Sequence, residues 1–172
     1  MKSSFFASAL LACIFLAGCA THQELKTVSS VDLQRYSGKW YEIASLPAWF
    51  QKDCHGATAE YTPLPDGRIK VLNQCTAKNG KNRKVVGIAR VVPNSENARL
   101  KVRFGLIQGD YYIIGLDEKS YQWSIVGHPS RKYLWILSRS PKMDDATYRQ
   151  LLNIAREKGY TNLDQLRKSS SH

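Results

Sequence analysis

The stretch "GKWYEI", Gly38–Ile43, follows a polar run and precedes "ASLPAWF". Trp40 comes two residues after a glycine, at the start of a segment typical of a β-strand. Side chains of a strand alternate between its two faces, so Trp40 and Glu42 share one face. A large apolar side chain at the start of a first strand requires a cover, and the rest of the chain must supply it.

Further strand-like segments follow, separated by turn sequences such as "PDG" and "KNGKN". The predicted strands are Lys39–Ser45, Ala57–Tyr61, Arg68–Cys75, Lys84–Val92, Leu100–Phe104, Asp110–Leu116, Tyr121–Gly127 and Tyr133–Ser138. No helical pattern interrupts them, which disfavours a parallel sheet. Eight hairpin-linked strands predict an all-β fold, an antiparallel up-and-down β-barrel without exposed edges.

One helix is predicted after the strands, over Asp144–Lys158. Tyr148, Leu151, Leu152 and Ala155 fall on one face of it, and Gly159 ends it. We expect this helix to pack on the outside of the barrel.

The N-terminus has the features of a signal peptide. Lys2 precedes an apolar run, Phe5–Ala17, that is too short to span a membrane. The run leads into "LAGC", Leu16–Cys19, which resembles a bacterial lipobox. That resemblance implies removal of residues 1–18, lipidation of Cys19 and, through Ala20, delivery to the outer membrane of a Gram-negative bacterium. The alternative is an ordinary secreted protein cut near Ala20.

Composition then divides the mature chain. Residues 19–30 are polar and are predicted to be a tether, and residues 31–172 to be the barrel domain. Apart from Cys19, the cysteines that remain are Cys54 and Cys75. An even pair in an oxidising compartment predicts a disulfide, which would close a loop of about 20 residues and contribute roughly 3 kcal/mol.

Alternation within the strands sorts side chains between water and the interior. In "LKVRF", Leu100 and Val102 oppose Lys101 and Arg103, and the charged face must meet water. The same reasoning gives the candidate lining Ala59, Tyr61, Ile69, Val71, Leu100, Val102, Phe104, Tyr111, Ile113, Tyr133 and Trp135. Each could equally be plain core packing, because an eight-stranded barrel holds packed side chains or one small ligand.

Three segments together resemble the lipocalins, and most of all the bacterial outer-membrane and apolipoprotein-D-like members. They are "GKW", "YYIIGLD" with "YQWSIV", and "YLWILSRSP" just before a single helix. The resemblance implies a barrel closed at one end by Gly38, Trp40 and Arg139. It also implies fatty acids or lysophospholipids as ligands, stored or transported for maintenance of the cell envelope. One departure is Leu116-Asp117-Glu118, where the family often has Thr-Asp-Tyr.

Chain direction supports the closed end independently. Strand one leaves that end and seven reversals return strand eight to it, which places Arg139 beside Trp40. Glu42 faces inward and requires a partner, since a buried carboxylate without one is costly. Arg139 and a polar group in the cavity both remain candidates.

Charge differs between the two ends. Turns at the Trp40 end carry Asp66, Arg68, Glu96, Arg99, Asp117, Glu118 and Lys119. Loops at the open end carry Lys52, Asp53, Lys78, Lys81, Arg83, Lys84, Asp110, Arg131 and Lys132. A basic mouth above an apolar cup suits a ligand with an anionic head, and so does a basic surface near anionic membrane lipids. We expect Trp49 and Phe50 to form a lid, with Lys84 and Arg131 holding the head.

These features predict a membrane-anchored lipid carrier without a cofactor or metal. The alternative is a lipid-modifying enzyme that uses Glu42 as acid or base. Nucleic-acid binding is disfavoured despite a net charge of +11, because the chain has a secretory start and lacks a recognition motif. Tetrapyrrole binding and homodimerisation stay open.

Overall fold

The computed structural model describes residues 23–169. The predicted signal peptide and Cys19 lie outside the described residues. The helices are α1 (Leu33–Tyr36) and α2 (Asp145–Glu157). The strands are β1 (Gly38–Ser45), β2 (Cys54–Pro63), β3 (Ile69–Ala77), β4 (Asn82–Val91), β5 (Arg99–Phe104), β6 (Ile107–Leu116), β7 (Trp123–Gly127), β8 (Leu134–Ser138) and β9 (Arg167–Lys168).

The sheet closes on itself. Strands β2 to β8 pair in sequence order, β8 pairs with β1, and β1 pairs back to β2. Every described pairing is antiparallel. The predicted eight-stranded up-and-down barrel is therefore confirmed. The short strand β9 adds to β1 opposite Ala44 and Ser45, and the sequence did not predict it.

Most strand boundaries agree with the predicted ones within three residues. The starts of β2 and β6 are each three residues earlier than predicted, and β7 starts two residues later, at Trp123 rather than Tyr121. Tyr121 has a φ of 55°, and this left-handed conformation ends any extended segment. The four-residue helix α1 was also missed, because one turn is too short to show a helical period.

Apolar side chains form two cores, one on each face of the barrel wall. The inner core surrounds Trp40 and includes Tyr36, Val71, Leu100 and Ile113. The outer core lies where α2 covers β1, β6, β7 and β8, and it contains Ala44, Leu46, Ile114, Ile125, Leu134, Ile136, Leu151, Ala155 and Tyr160. The helix thus packs outside the barrel, as predicted.

Asp144 caps the start of α2. Its carboxylate accepts a hydrogen bond from the Thr147 amide at 2.8 Å, a standard way of satisfying a first-turn donor. At the other end Gly159, with φ of 87°, follows the last turn. Both helix limits match the prediction.

The N-terminal segment corrects the predicted tether. Leu25 is 1% exposed in the outer core, and the Val28 amide donates to the Ile113 carbonyl at 2.9 Å. Glu24 pairs with Arg99 at 2.7 Å. Residues 23–30 therefore pack along the outside of the barrel, and the tether prediction is wrong for them. Within residues 23–169, no helix is long and apolar enough to cross a membrane.

Candidate functional site in the barrel interior

The closed end is built on Trp40, which is completely buried. Its indole Nε1 donates to the Tyr36 carbonyl at 2.8 Å, so the one polar atom of the side chain has a partner. The guanidinium carbon of Arg139 lies 3.9 Å from the Trp40 ring centroid. A cation over an indole at this distance contributes about 0.5–2 kcal/mol.

Arg139 also joins three segments below the barrel. Its guanidinium donates to the carbonyls of Arg35 at 2.7 Å, Lys39 at 2.8 Å and Tyr121 at 3.3 Å. Burial lowers the pKa of Arg139. Gly38 has a φ of 87°, and a Cβ there would lie 3.5 Å from Arg139 Nη1. The backbone conformation that brings β1 past Arg139 thus favours glycine.

Three tyrosine hydroxyls lie above Trp40. Tyr111 Oη is 2.8 Å from both Tyr36 Oη and Tyr61 Oη, and Tyr36 Oη is 3.1 Å from Ser124 Oγ. Burial raises the pKa of Tyr36 to about 12 and that of Tyr61 and Tyr111 well above its usual value. The hydroxyls are therefore neutral, and each has a partner in the network. Tyr36 was not among the predicted site residues.

Exposure of the inward-facing side chains increases along the barrel. Of the predicted lining, Ile69, Val71, Leu100 and Ile113 are fully packed in the closed half, and Tyr61 and Val102 are also buried, opposite Val71 and Ala89. Ala59, Phe104, Tyr111 and Trp135 are only partly buried. Nearer the mouth, Val85 is 47% and Ile107 53% exposed. Solvent thus enters an apolar cup whose floor is the tyrosine network.

The sequence missed Val85 and Ile107 as parts of this cup. Strand register places both on the inward face, because Val85 lies opposite Asn73 and Ile107 opposite Phe104. Alternation along β4 carries the signal for Val85, which lies within the predicted strand, and Ile107 is added once β6 is extended to its observed start.

Gly109 marks open space inside the cup. It lies directly opposite Val102 on the inward face of β6. No heavy atom lies within 4 Å of the place that its Cβ would occupy. A larger side chain at this position would therefore project into the cavity without a clash at Cβ.

Aromatic side chains line one side of the mouth. Phe50 lies 5.8 Å from Tyr133 and 6.4 Å from Trp135, and Tyr133 stacks on Trp135 at 6.1 Å between ring centroids. Trp49 touches only the edge of this group, at 5.6 Å from Phe50, and remains 67% exposed. Phe50 thus lies against the cavity wall, while Trp49 extends toward water.

Glu42 faces inward beside this aromatic wall. Its carboxylate accepts hydrogen bonds from Ser45 Oγ at 2.8 Å and from Gln51 Nε2 at 2.5 Å. Gln51 Oε1 in turn accepts from Trp135 Nε1 at 3.1 Å. The sequence left two kinds of partner open for Glu42, either Arg139 or a polar group in the cavity. The hydrogen bonds show that polar groups of the cavity are its partners. Gln51, which the sequence reasoning missed, holds the carboxylate and the indole together.

Lys84 lies on the wrong face for its predicted role. It pairs with Gln74 on the outward side of the β3–β4 ladder. Its neighbour Arg83 pairs with Cys75, on the same face as Val71 and Val85, and is exposed at the mouth. Register therefore assigns to Arg83 the position that the sequence analysis gave to Lys84.

Arg131 makes hydrogen bonds within the fold. Its guanidinium donates to the carbonyls of Gln23 at 2.7 Å, Lys158 at 2.9 Å and Pro129 at 3.4 Å. These bonds join the β7–β8 loop to the N-terminal segment and to the end of α2. Three of its donors thus serve the fold, and the predicted contact of Arg131 with a ligand head group stays a prediction.

The predicted disulfide between Cys54 and Cys75 is present, with a Cα–Cα distance of 5.4 Å. It joins the start of β2 to β3. Among the described strands, residues 82–86 of β4 pair with β3 alone, since β5 ends opposite Gly87. The β3–β4 hairpin thus projects beyond β5, and the disulfide fastens β3, near the tip of this hairpin, to the start of β2.

Outside the barrel, a groove of about 110 Å³ lies between β1 and α2. It is lined by Glu42, Ile43, Pro141, Met143, Asp145, Tyr148, Lys168 and Ser169. Within residues 23–169, no cluster of three or more His, Cys, Asp or Glu side chains could hold a metal ion.

A closed barrel with one sealed end and one open, apolar end defines the class of small-ligand-binding β-barrels. A lipocalin-like domain model matches residues 31–170. The chain belongs to the lipocalin family, whose members are known as binders of small hydrophobic ligands.

Relatives come from distant organisms. Temperature-induced lipocalin-1 of Arabidopsis thaliana is 43% identical over 148 residues, which cover 80% of this chain and 78% of the plant protein. Outer membrane lipoprotein Blc of Vibrio cholerae is 35% identical over 154 residues, covering 88% and 90%. Insecticyanin of Manduca sexta superposes with a TM-score of 0.71 at 21% identity, over 87% of this chain and 86% of the insect protein, and so supports the fold.

Proposed function

We propose that this lipocalin is a membrane-anchored carrier that binds the acyl chain of a fatty acid or lysophospholipid inside the open half of its barrel. The observation that carries the proposal is the exposure gradient of the inward face. The side chains are mainly apolar, packed at the closed end and open to solvent at the mouth, with Asn73, Glu42 and Arg83 as polar groups among them. Such a cup accepts a long apolar group that enters from the open end.

The energetics allow a useful affinity. An acyl chain of about 14 methylenes gains at most about 11 kcal/mol on leaving water, at roughly 0.8 kcal/mol for each methylene. Immobilisation of the ligand offsets several kcal/mol of this gain. A micromolar complex, at about −8 kcal/mol, fits within the remainder.

The polar groups orient the ligand with its tail inward. Glu42 lies inside the mouth, and its carboxylate would repel an anionic head that moved deeper. Arg83 is exposed at the mouth on the inward face. An anionic head therefore stays at the mouth beside Arg83, while the acyl chain runs toward Tyr111. In this pose Trp49 and Phe50 act as the lid over the entering chain.

The anchoring part of the proposal rests on "LAGC", Leu16–Cys19, and on the relative in Vibrio cholerae named an outer membrane lipoprotein. Two or more acyl chains on Cys19 give stable anchoring, whereas one gives only reversible binding. Cys19→Ser should release the protein from membranes or leave it unprocessed. Membrane retention of a correctly cleaved Cys19→Ser protein would refute the anchor.

The cavity is tested by filling it. Gly109→Trp places an indole in the open space opposite Val102, and Gln108→Trp places one on the outward face of the same strand. Titration with a fluorescent fatty acid should show at least a hundredfold weaker binding for Gly109→Trp, since the acyl chain loses most of its burial. Gln108→Trp should bind like the parent. Equal binding by both variants would place the ligand outside the barrel.

Delivery to the outer membrane and a role in envelope maintenance belong to this proposal. The enzymatic alternative through Glu42, tetrapyrrole binding and homodimerisation stay predictions.

A further inference from the structure

The exposed large apolar side chains of the described residues all lie at one end of the molecule. Within residues 23–169 they are Trp49, Phe50, Val85, Val86, Leu106 and Ile107, which we call the apolar tips. Trp49 and Phe50 lie in the β1–β2 loop, Val85 and Val86 in the projecting part of β4, and Leu106 and Ile107 at the β5–β6 turn. All three elements surround the mouth of the barrel.

Such exposure is costly in water and implies a partner. Leu106 is 94% exposed at the tip of a tight turn and cannot contribute to either core. Trp49 is 67% exposed, although a rotation could stack it with the other aromatics of the mouth. Both are side chains of the kind that proteins place at membrane–water boundaries.

A ring of basic residues surrounds the apolar tips. The basic collar consists of Lys52, Lys78, Lys81, Arg83, Lys84, Arg103 and Lys132, all of them exposed. Asp53 and Asp110 are the acidic residues of the same loops, and both are ion-paired, with Lys78 and Lys101. The turns at the closed end carry slightly more acidic than basic residues. The positive potential of the molecule therefore concentrates around the mouth.

The N-terminal segment begins at this same end. The Gln23 carbonyl accepts a hydrogen bond from Arg131 in the β7–β8 loop, one of the loops around the mouth. From there the chain runs toward the closed end, where the Val31 amide meets the Glu96 carbonyl. Three residues lie between Cys19 and Gln23, and the four Cα–Cα steps from one to the other span at most about 14 Å. A lipid on Cys19 would therefore hold the mouth close to the membrane.

We propose that the open end of the barrel docks face-on against an anionic lipid bilayer, with the apolar tips in the interface and the basic collar over the lipid head groups. The tips and the collar carry this inference without Cys19, and only the chain-exit argument rests on the proposed lipidation. A mouth that faces the bilayer lets an acyl chain pass between membrane and cavity without crossing water. The lipid surface that the collar recognises is anionic, as clusters of basic residues at membranes generally require.

The test is hydrogen exchange of the full mature chain on vesicles that contain about 30% anionic phospholipid, against vesicles of neutral phospholipid. Amides of the β1–β2 loop and of the β5–β6 turn should exchange at least about tenfold more slowly on the anionic vesicles. The closed-end turns 64–68 and 117–122 should not change. Salt at about 1 M should reverse the effect, because the screening length falls to about 3 Å.

Two charge-matched variants sharpen the result. Leu106→Asp removes an apolar tip, and Ser120→Asp adds the same charge at an exposed position of the closed end. Leu106→Asp should lose the slowing of exchange, and Ser120→Asp should keep it. Slowing at the closed end, equal slowing on both vesicle types, or no slowing overturns the proposal. Slowing that appears without vesicles and grows with protein concentration would instead identify a second copy of the chain as the occupant.

Acyl binding by the same proteins separates this inference from the proposed function. Gly109→Trp should lose acyl binding and keep docking, whereas Leu106→Asp should keep binding of monomeric fatty acid. If the parent protein binds acyl chains but does not dock on anionic vesicles, the docking inference is overturned and the carrier proposal stands. Acyl binding that persists in Gly109→Trp overturns the carrier and leaves docking unaffected.

Discussion

The same strands build two ends with opposite properties. At the closed end Trp40, Ile113 and Leu100 are completely packed, and Arg139 joins three segments below them. At the open end the strands and loops expose apolar side chains and basic groups. The closed end therefore supplies stability, which allows the open end to keep an exposed apolar mouth. Substitutions at the closed end should therefore change mainly the free energy of unfolding, and substitutions at the open end mainly the binding of ligand or membrane.

The largest expected difference is between two tryptophans. Trp40→Ala should lower the free energy of unfolding by about 3–5 kcal/mol, because it leaves a cavity in the closed core. Trp49→Ala, at a largely exposed position, should lower it by less than about 0.5 kcal/mol. Chemical denaturation of both variants measures the contrast. Similar losses for the two would show that the closed end is not the stabilising half.

The tyrosine network makes the closed end sensitive to alkali. Burial raises the pKa of Tyr36 to about 12 and that of Tyr61 and Tyr111 further, against about 10 in the unfolded chain. Above pH 10 the unfolded tyrosines lose protons that the folded ones keep, so the unfolded state gains stability. The contribution is complete below pH 10 and is lost as pH rises toward the folded pKa values.

The decrease of the free energy of unfolding with rising pH is measurable by chemical denaturation at several pH values. Three such groups lower the free energy of unfolding by up to about 4 kcal/mol between pH 10 and 11. Tyr36→Phe should reduce that slope by about a third. Burial also raises the pKa of Tyr160 to about 12. Because Tyr160 is present in both parent and variant, the difference between their two slopes reports on the tyrosine network alone. An identical slope in the two proteins would contradict this account.

The disulfide is the stabilising device of the open end. It closes a loop with a sequence separation of 21 residues, worth roughly 3 kcal/mol in the chain-entropy model. Replacing Cys54 and Cys75 together by alanine should lower the free energy of unfolding by about that amount. It should also speed hydrogen exchange in the projecting β3–β4 hairpin more than in β7 and β8. Uniform faster exchange across the barrel would show that the bond does not act locally.

The smallest expected effect is on the ligand head. Arg83→Glu should weaken binding of a fatty acid by about three- to tenfold at low salt, and less at high salt, since exposed charges are screened. Lys84→Glu changes the same charge on the outward face and should have little effect. Binding of an uncharged acyl analogue should be unchanged in both. If Lys84→Glu weakens fatty-acid binding equally, the effect is long-range and no head-group contact exists at Arg83.

Much of the fold followed from local patterns. Alternation and turn residues predicted all eight strands of the barrel, and a helical period predicted α2. Chain direction, together with the family resemblance, brought Arg139 to Trp40. These features depend on short-range sequence periods and on the number of reversals, both of which a sequence records directly.

The differences from the predictions arose where long-range contacts decide. Arg131 bonds to Gln23 and Lys158, which are distant in sequence, so its loop position alone did not indicate these bonds. Lys84 was assigned by its place in a loop, although a shift of one residue moves a side chain to the other face. The buried Leu25 and the bonded Val28 lie in a polar segment, and their packing depends on a groove that only the folded barrel provides.

The central claim, that the acyl chain lies inside the open half of the barrel, is tested most directly by photo-crosslinking. A fatty acid with a photoreactive diazirine near its terminal methyl would be bound and irradiated, and the labelled residues mapped by mass spectrometry of peptides. The account predicts labels on Tyr111 and Tyr61, at the floor of the cup, and on Phe104 in its wall. Labels on Met143 and Tyr148, in the groove between β1 and α2, would contradict it.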